Sequence, residues 1–142
     1  MSYDLYFYKR KETNISMDQI AKYLTDNLVG VDKNAVQWFY ENEDTEVYYS
    51  FEQNEREDDP ESVELYESFT DFDNTGFSFN LNFMRPSFFG LEAFQFIDQF
   101  ISDLNLFIFN PQSDSENPYK PSKNELFDNW NSQIYGQARI TL

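Results

Sequence analysis

Apolar and polar residues alternate most regularly from Phe77 onward, with Phe77, Phe79, Leu81 and Phe83 separated by Ser78, Asn80 and Asn82. A period of two predicts a strand with one buried face, ended by Arg85-Pro86. Beyond Gly90 the period changes. Leu91, Phe94, Ile97, Phe100, Ile101 and Leu104 recur at helical spacing, so one broad stripe has to cover a sheet. Leu106 to Phe109 supplies a further short strand. This strand–helix–strand unit is the expected scaffold.

The remaining elements follow from the same periodicities. Tyr3 to Tyr8 alternates as a strand, with Tyr3, Leu5 and Phe7 on one side and Asp4, Tyr6 and Tyr8 on the other. Ser16 with Gln19 three residues on forms a capping box. It opens a helix whose face carries Met17, Ile20, Ala21, Leu24 and Leu28, and Gly30 is read as its stop. Val36 to Tyr40 and Val47 to Phe51 predict two hairpin-joined strands with Val36, Trp38, Tyr40, Val47, Tyr49 and Phe51 inward. Pro111, Pro118 and Pro121 mark an extended linker. Ser122 with Glu125 then caps a short last helix, whose Leu126, Phe127, Trp130 and Ile134 can dock.

The element order predicts an α+β fold: a mostly antiparallel five-stranded sheet with two helices packed on one face and a short C-terminal helix, related in layout to split βαβ folds. Residues 1–110 form the domain, 111–121 the linker, and 122–142 a docked helical tail. A chain of 142 residues buries roughly 70% of its unfolded surface, enough for one core. The start, Met1-Ser2-Tyr3-Asp4, has no basic and then apolar run, so no signal peptide is expected. The Leu91 to Leu104 helix is too short and too interrupted by charge to span a bilayer.

Charge changes the picture. Ten basic against 26 acidic residues give a net charge of −16, which disfavours direct binding to nucleic acid or anionic membrane and favours a basic partner. An aromatic content of 20% argues for a folded chain rather than a disordered polyelectrolyte. The acids concentrate between Glu52 and Asp73: Glu52, Glu55, Glu57, Asp58, Asp59, Glu61, Glu64, Glu67, Asp71 and Asp73 face one basic residue, Arg56. Val63, Leu65, Tyr66, Phe69 and Phe72 in its second half predict a short irregular or partly helical segment held against the domain.

Recognisable catalytic chemistry is missing. There is no Cys and no His, which removes thiol chemistry, disulfides, the commonest metal ligands and the commonest general base. Neither a Gly-x-Ser-x-Gly elbow nor a Gly-rich phosphate loop occurs among the four glycines. No enzyme activity, metal or cofactor is expected. Asp71-Phe72-Asp73-Asn74-Thr75-Gly76 begins like a calcium loop, but the twelfth position is Asn82 and a strand follows, so a tight turn with Asn74 or Gly76 at positive φ is the better reading. Lys9-Arg10-Lys11 reads as solvated cations or partners of the acidic segment rather than a phosphate site.

The candidate recognition surface is the sheet face opposite the helices. Strand phase places Tyr6, Tyr8, Gln37, Phe39, Tyr48, Ser50, Asn80 and Asn82 there, with large Tyr contacts and adaptable Asn and Ser hydrogen bonds. Coverage of that face by the last helix through Trp130 is the competing expectation. Partner contacts are assigned to Tyr6, Tyr8, Phe39, Tyr48, Asn80 and Asn82, and to the acids Glu55, Glu57, Asp58, Asp59 and Glu61. In size, acidity and absence of catalytic motifs, the chain resembles the immunity proteins of bacterial polymorphic toxin systems. The resemblance implies a cytoplasmic protein whose acids steer a basic toxin domain and whose aromatic anchors exclude water at the contact. A nucleic-acid-mimicking inhibitor, or a sensor or adaptor module of a longer chain, are the alternatives.

Overall fold

In the computed structural model, residues 2–28, 30–32, 36–54, 59–82, 87–111 and 117–141 are described. The strands are β1 (Ser2–Arg10), β2 (Gly30–Asp32), β3 (Gln37–Glu41), β4 (Tyr48–Gln53), β5 (Phe72–Asn82) and β6 (Phe107–Phe109). The helices are α1 (Met17–Asn27), α2 (Pro60–Tyr66), α3 (Ser87–Leu104) and α4 (Lys123–Thr141). The strands form one sheet in the order β2-β3-β4-β5-β1-β6, with every neighbouring pair antiparallel. This is the α+β architecture that the periodicity predicts, with the three-residue β2 added at one edge. Because β1 lies between β5 and β6, those two strands run parallel and α3 links them in a split βαβ arrangement.

One face of the sheet meets α1 and α3. Leu5, Phe7, Trp38, Tyr49, Phe51, Phe77, Phe79 and Leu81 from the strands close a core with Ile20 and Leu24 of α1 and Phe94, Ile97 and Phe100 of α3. The aromatic content is spent largely here: Phe51 packs within 5.3 Å of both Phe79 and Phe100, measured between ring centres. Both predicted capping boxes form. Ser16 Oγ accepts from Gln19 N at 3.2 Å, and Ser122 Oγ accepts from Glu125 N at 3.1 Å.

Several expectations are corrected by tertiary geometry. Val36 is not inward but exposed, at φ 51° in the turn before β3. Met17 and Leu91 lie on their expected helices yet remain exposed, because each stripe is wider than the sheet beneath it. Gly30 belongs to a strand, and the Phe39 ring lies directly over it, where a Cβ would stand 1.9 Å from the ring. Gly90 sits inside α3 rather than before it.

The acidic stretch does not enter β5 through a tight turn. Phe72 to Thr75 are already strand, and the sheet absorbs Gly76 as a bulge: Tyr6 faces Ser78 while Tyr8 faces Asn74, leaving Thr75, Gly76 and Phe77 opposite Phe7. Gly76 takes the expected positive φ, 83°. Oxygens that suggested a calcium loop are engaged elsewhere. Asn74 Oδ1 accepts from Gly76 N, and Asp73 pairs with Lys9.

The C-terminal helix is long, 19 residues, and packs against α3. Leu126 and Trp130 are buried as expected, with the Trp130 ring edge-on to Phe94. The preceding linker is extended but docked: Tyr119 bridges Ile108 through two backbone hydrogen bonds, and Pro118 and Pro121 are buried. Tyr3, Asn110 and Asn129 complete the seam, with Asn110 Nδ2 donating to Tyr3 Oη at 2.9 Å and Tyr3 Oη donating to Asn129 Oδ1 at 2.7 Å.

Candidate functional site

The sheet face turned away from α1 and α3 is divided in two. Over β1 and β6 it is roofed by α2 and the residues that follow. Tyr66 lies 4.8 Å from Tyr6 between ring centres, and Phe69 meets Tyr8 at 5.2 Å and Phe109 at 5.1 Å. Tyr8 Oη donates to the Tyr66 carbonyl at 2.7 Å, and Asn74 Nδ2 donates to Glu67 Oε1. The hydrophobic residues inside the acidic segment explain this placement: the β4–β5 connection buries Tyr66 and Phe69 by crossing over β1 and β6.

Tyr8 is therefore corrected from exposed contact residue to core, with no exposed surface. Tyr6 is half-buried under the same roof. Burial pushes both phenols well above the ordinary tyrosine range, assisted at Tyr6 by the hydrogen bond with Tyr66 and at Tyr8 by the Glu67 carboxylate.

The other half, over β3, β4 and the adjacent part of β5, is open. Tyr48 is 49% exposed, its ring 6.3 Å from that of Phe39, and Gln37, Phe39, Ser50 and Asn80 are half-buried. One row crosses the sheet as Asp4, Asn80, Ser50 and Phe39 in register, and Asn80 Nδ2 donates to Asp4 Oδ1 at 2.7 Å. A second row carries Tyr6, Ser78, Glu52 and Gln37, with Gln37 Nε2 donating to Glu52 Oε2 at 3.3 Å. Among the described residues, the outward positions of this half include Glu41 and Glu52, joined at its border by Asp4 of β1, but no Lys or Arg.

Asp4, Glu41 and Glu52 were not assigned to the site by sequence reasoning, although their strand phase matches that of Tyr6, Phe39 and Tyr48. The period-2 pattern alone could have found them. Asn82 aligns with Ser2 at the end of β5. Asp59 is the N-cap of α2, accepting from Ser62 N at 3.3 Å, and Glu61 is exposed in the first turn. Glu55, Glu57 and Asp58 lie outside the described residues. Trp130 packs on the α3 side, so the described part of the C-terminal helix leaves the open face uncovered.

A pH prediction follows from the buried phenols. Tyr3, Tyr6, Tyr8, Tyr23 and Tyr49 all have pKa values raised above 10.0, each chiefly by burial. A raised pKa means that the folded chain holds protons which the unfolded chain releases. The stability they contribute is complete below about pH 10 and is lost as pH rises from there through the folded values. Tyrosinate absorbance is expected to include a cooperative step that coincides with loss of near-ultraviolet circular dichroism. Smooth ionisation of all ten tyrosines near their ordinary value would contradict this burial.

No helix among the described residues is long and apolar enough to cross a membrane, and no group of three or more acidic side chains among them is placed to hold a metal ion. Comparison with protein-family models, curated proteins and solved structures finds no match for this chain. Function must therefore be read from the geometry.

Proposed function

We propose that this chain is an inhibitory protein of the toxin-immunity kind, which works in the cytoplasm and binds a basic protein through the open half of its outer sheet face. The observation that carries the reading is the pairing, on one sheet face, of the exposed Tyr48 and the half-buried Phe39 with carboxylates at Asp4, Glu41 and Glu52 and no cation among the described positions. Phe39 and Tyr48 supply the anchors that shed water on contact, while Ser50 and Asn80 offer hydrogen bonds to a partner's backbone or side chains. The exposed acids of α2, Glu61 and Glu64, extend the field around the roofed half. A net charge of −16 draws a cationic surface in from a distance and raises the association rate more than the affinity.

The test is capture from the source cell at low salt, followed by identification of the retained protein and by co-expression. A basic protein whose toxicity the chain relieves is expected. The double variant Asp4→Lys/Glu52→Lys is expected to slow association roughly tenfold, with most of that difference vanishing at high salt. Asp18→Lys/Asp128→Lys makes the same charge change at exposed positions on α1 and α4, away from the face, and is expected to cost much less. Equal losses in the two variants, or retention of acidic proteins alone, would refute the proposal. Displacement of the partner by plain duplex DNA would transfer the reading to nucleic-acid mimicry.

A further inference from the structure

Acids outnumber bases by 26 to ten, so each exposed cation has carboxylates to choose from. Among the described residues, however, the ion pairs are Lys9 with Asp73 and Lys22 with Asp26. Arg10, one residue beyond Lys9, does something different. Its guanidinium lies 5.4 Å from the centre of the Phe72 ring and 5.0 Å from that of Phe107. Lys120 approaches the same Phe107 ring, with Nζ 4.9 Å from its centre, and also donates to Asn105 Oδ1.

Four chain segments make this corner. Arg10 ends β1, Phe72 and Phe107 open β5 and β6, and the Tyr119–Ile108 bridge carries Lys120 alongside. Lys11 is exposed next to it, with its backbone tied by its N–H to the Asp71 carbonyl. The Lys9-Arg10-Lys11 run was read from sequence as solvated or paired with the acidic stretch, and Lys9 follows that reading. Arg10 is exposed, as the solvated alternative expects, but it is also held on aromatic rings, as is the exposed Lys120, and neither has a carboxylate within ion-pairing distance among the described residues.

A guanidinium packed against aromatic rings, as Arg10 is against Phe72 and Phe107, keeps N–H groups available to donate. A fork presented in this way matches two oxygens of a phosphate or carboxylate, and a neighbouring ammonium adds a point charge. We propose that the Arg10–Phe107–Lys120 corner is a binding site for a phosphate group. Two cations suit a group of charge near −2 better than a single carboxylate. A long polyanion is disfavoured, because it would extend from this corner into the field of the surrounding carboxylates. The ligand class is therefore compact: free phosphate or a small phosphomonoester. The site is separate from the open sheet face and does not depend on the toxin-inhibitor reading.

Inorganic phosphate, phenyl phosphate and acetate would be titrated into the full chain and followed by amide chemical shifts, against sodium chloride at matched ionic strength. Saturable shifts centred on Arg10, Asn105 and Phe107 are expected with both phosphates and not with acetate or chloride. Tighter binding of phenyl phosphate would identify an ester as the ligand, and equal binding would identify free phosphate. Arg10→Lys keeps the charge and removes the fork; it is expected to weaken phosphate binding about tenfold, the weight of one charge-assisted hydrogen-bonded contact. Lys120→Gln is expected to act in the same direction at a residue with no place in the core. The proposal is overturned if phosphate shifts match those in chloride, or if both variants, shown folded by circular dichroism, bind as the parent does.

Discussion

Replacing Phe51 with alanine is expected to lower the free energy of unfolding by about 3–5 kcal/mol, the range for truncating a buried phenylalanine. Phe51 has no exposed surface and stands where β4 meets both neighbouring strands and α3. Its ring lies within 5.8 Å of the rings of Phe7, Phe79, Phe96 and Phe100, centre to centre. Those neighbours come from β1, β5 and α3, so no single element can move in to fill the space, and the cavity term stays near its full size. Equilibrium denaturation in urea would measure the loss. Tyr48→Ala, on the opposite face of the same strand, is the control. At 49% exposure it is expected to change stability by no more than about 0.5 kcal/mol. A small loss at Phe51 and a large one at Tyr48 would mean that the strand is turned the other way, and the candidate recognition face with it.

Gly90→Ala is expected to destabilise the chain by about 1–3 kcal/mol even though alanine is the better helix former, by about 1 kcal/mol. A Cβ at Gly90 would stand 2.5 Å from Trp130 Cζ3 and 2.7 Å from Cε3, far inside contact distance. Trp130 cannot swing away, being fully buried and packed against Phe94 and Phe127. The strain must pass into the seam between α3 and α4, which lifts α4 and wets the indole. Trp130 Nε1 has no hydrogen-bond acceptor among the described residues, so admission of water costs less there than at a satisfied donor. A red shift of tryptophan emission in a Trp38→Phe background would report it, since the chain holds two tryptophans. An increase in stability with unchanged emission would show that α4 does not lie on Gly90.

Much of the scaffold was legible because burial imposes periodicity. Phe77, Phe79 and Leu81 on β5, Tyr3, Leu5 and Phe7 on β1, and Phe94, Ile97 and Phe100 on α3 are buried as their spacing predicts. Where that logic failed, a second contact intervened. Tyr8 has the phase of a surface residue and is core, because a helix from the acidic segment folds over its face. Leu91 has the phase of a core residue and is 60% exposed, because it lies at the edge of a stripe wider than the sheet beneath it. The turn reading of Asp71 to Gly76 had the correct glycine at positive φ but missed that β5 continues through it as a bulge.

The candidate face was half visible for the same reason. Strand phase assigned Phe39, Tyr48, Ser50 and Asn80 to one side of the sheet, and the same phase would have added Asp4 and Glu52. That Phe39, Ser50, Asn80, Asp4 and Glu52 lie in two cross-strand rows depends on β5 pairing with both β4 and β1, the latter pairing joining Asp4 to Asn80 across 76 residues. The Arg10–Phe107–Lys120 corner was invisible, since nothing local links residues 10, 107 and 120.

By itself the sequence determined most of the inward-facing residues of each element, the α+β class, the helix caps and the strongly negative charge, all of which rest on spacing or composition within a few residues. Only the tertiary structure decided the strand order, the covering of Tyr8 by α2, the docking of Trp130 over Gly90, and the sharing of one ring by Arg10 and Lys120. These depend on which apolar surfaces meet across the chain. That choice is made by packing complementarity between distant segments, for which local periodicity carries no information.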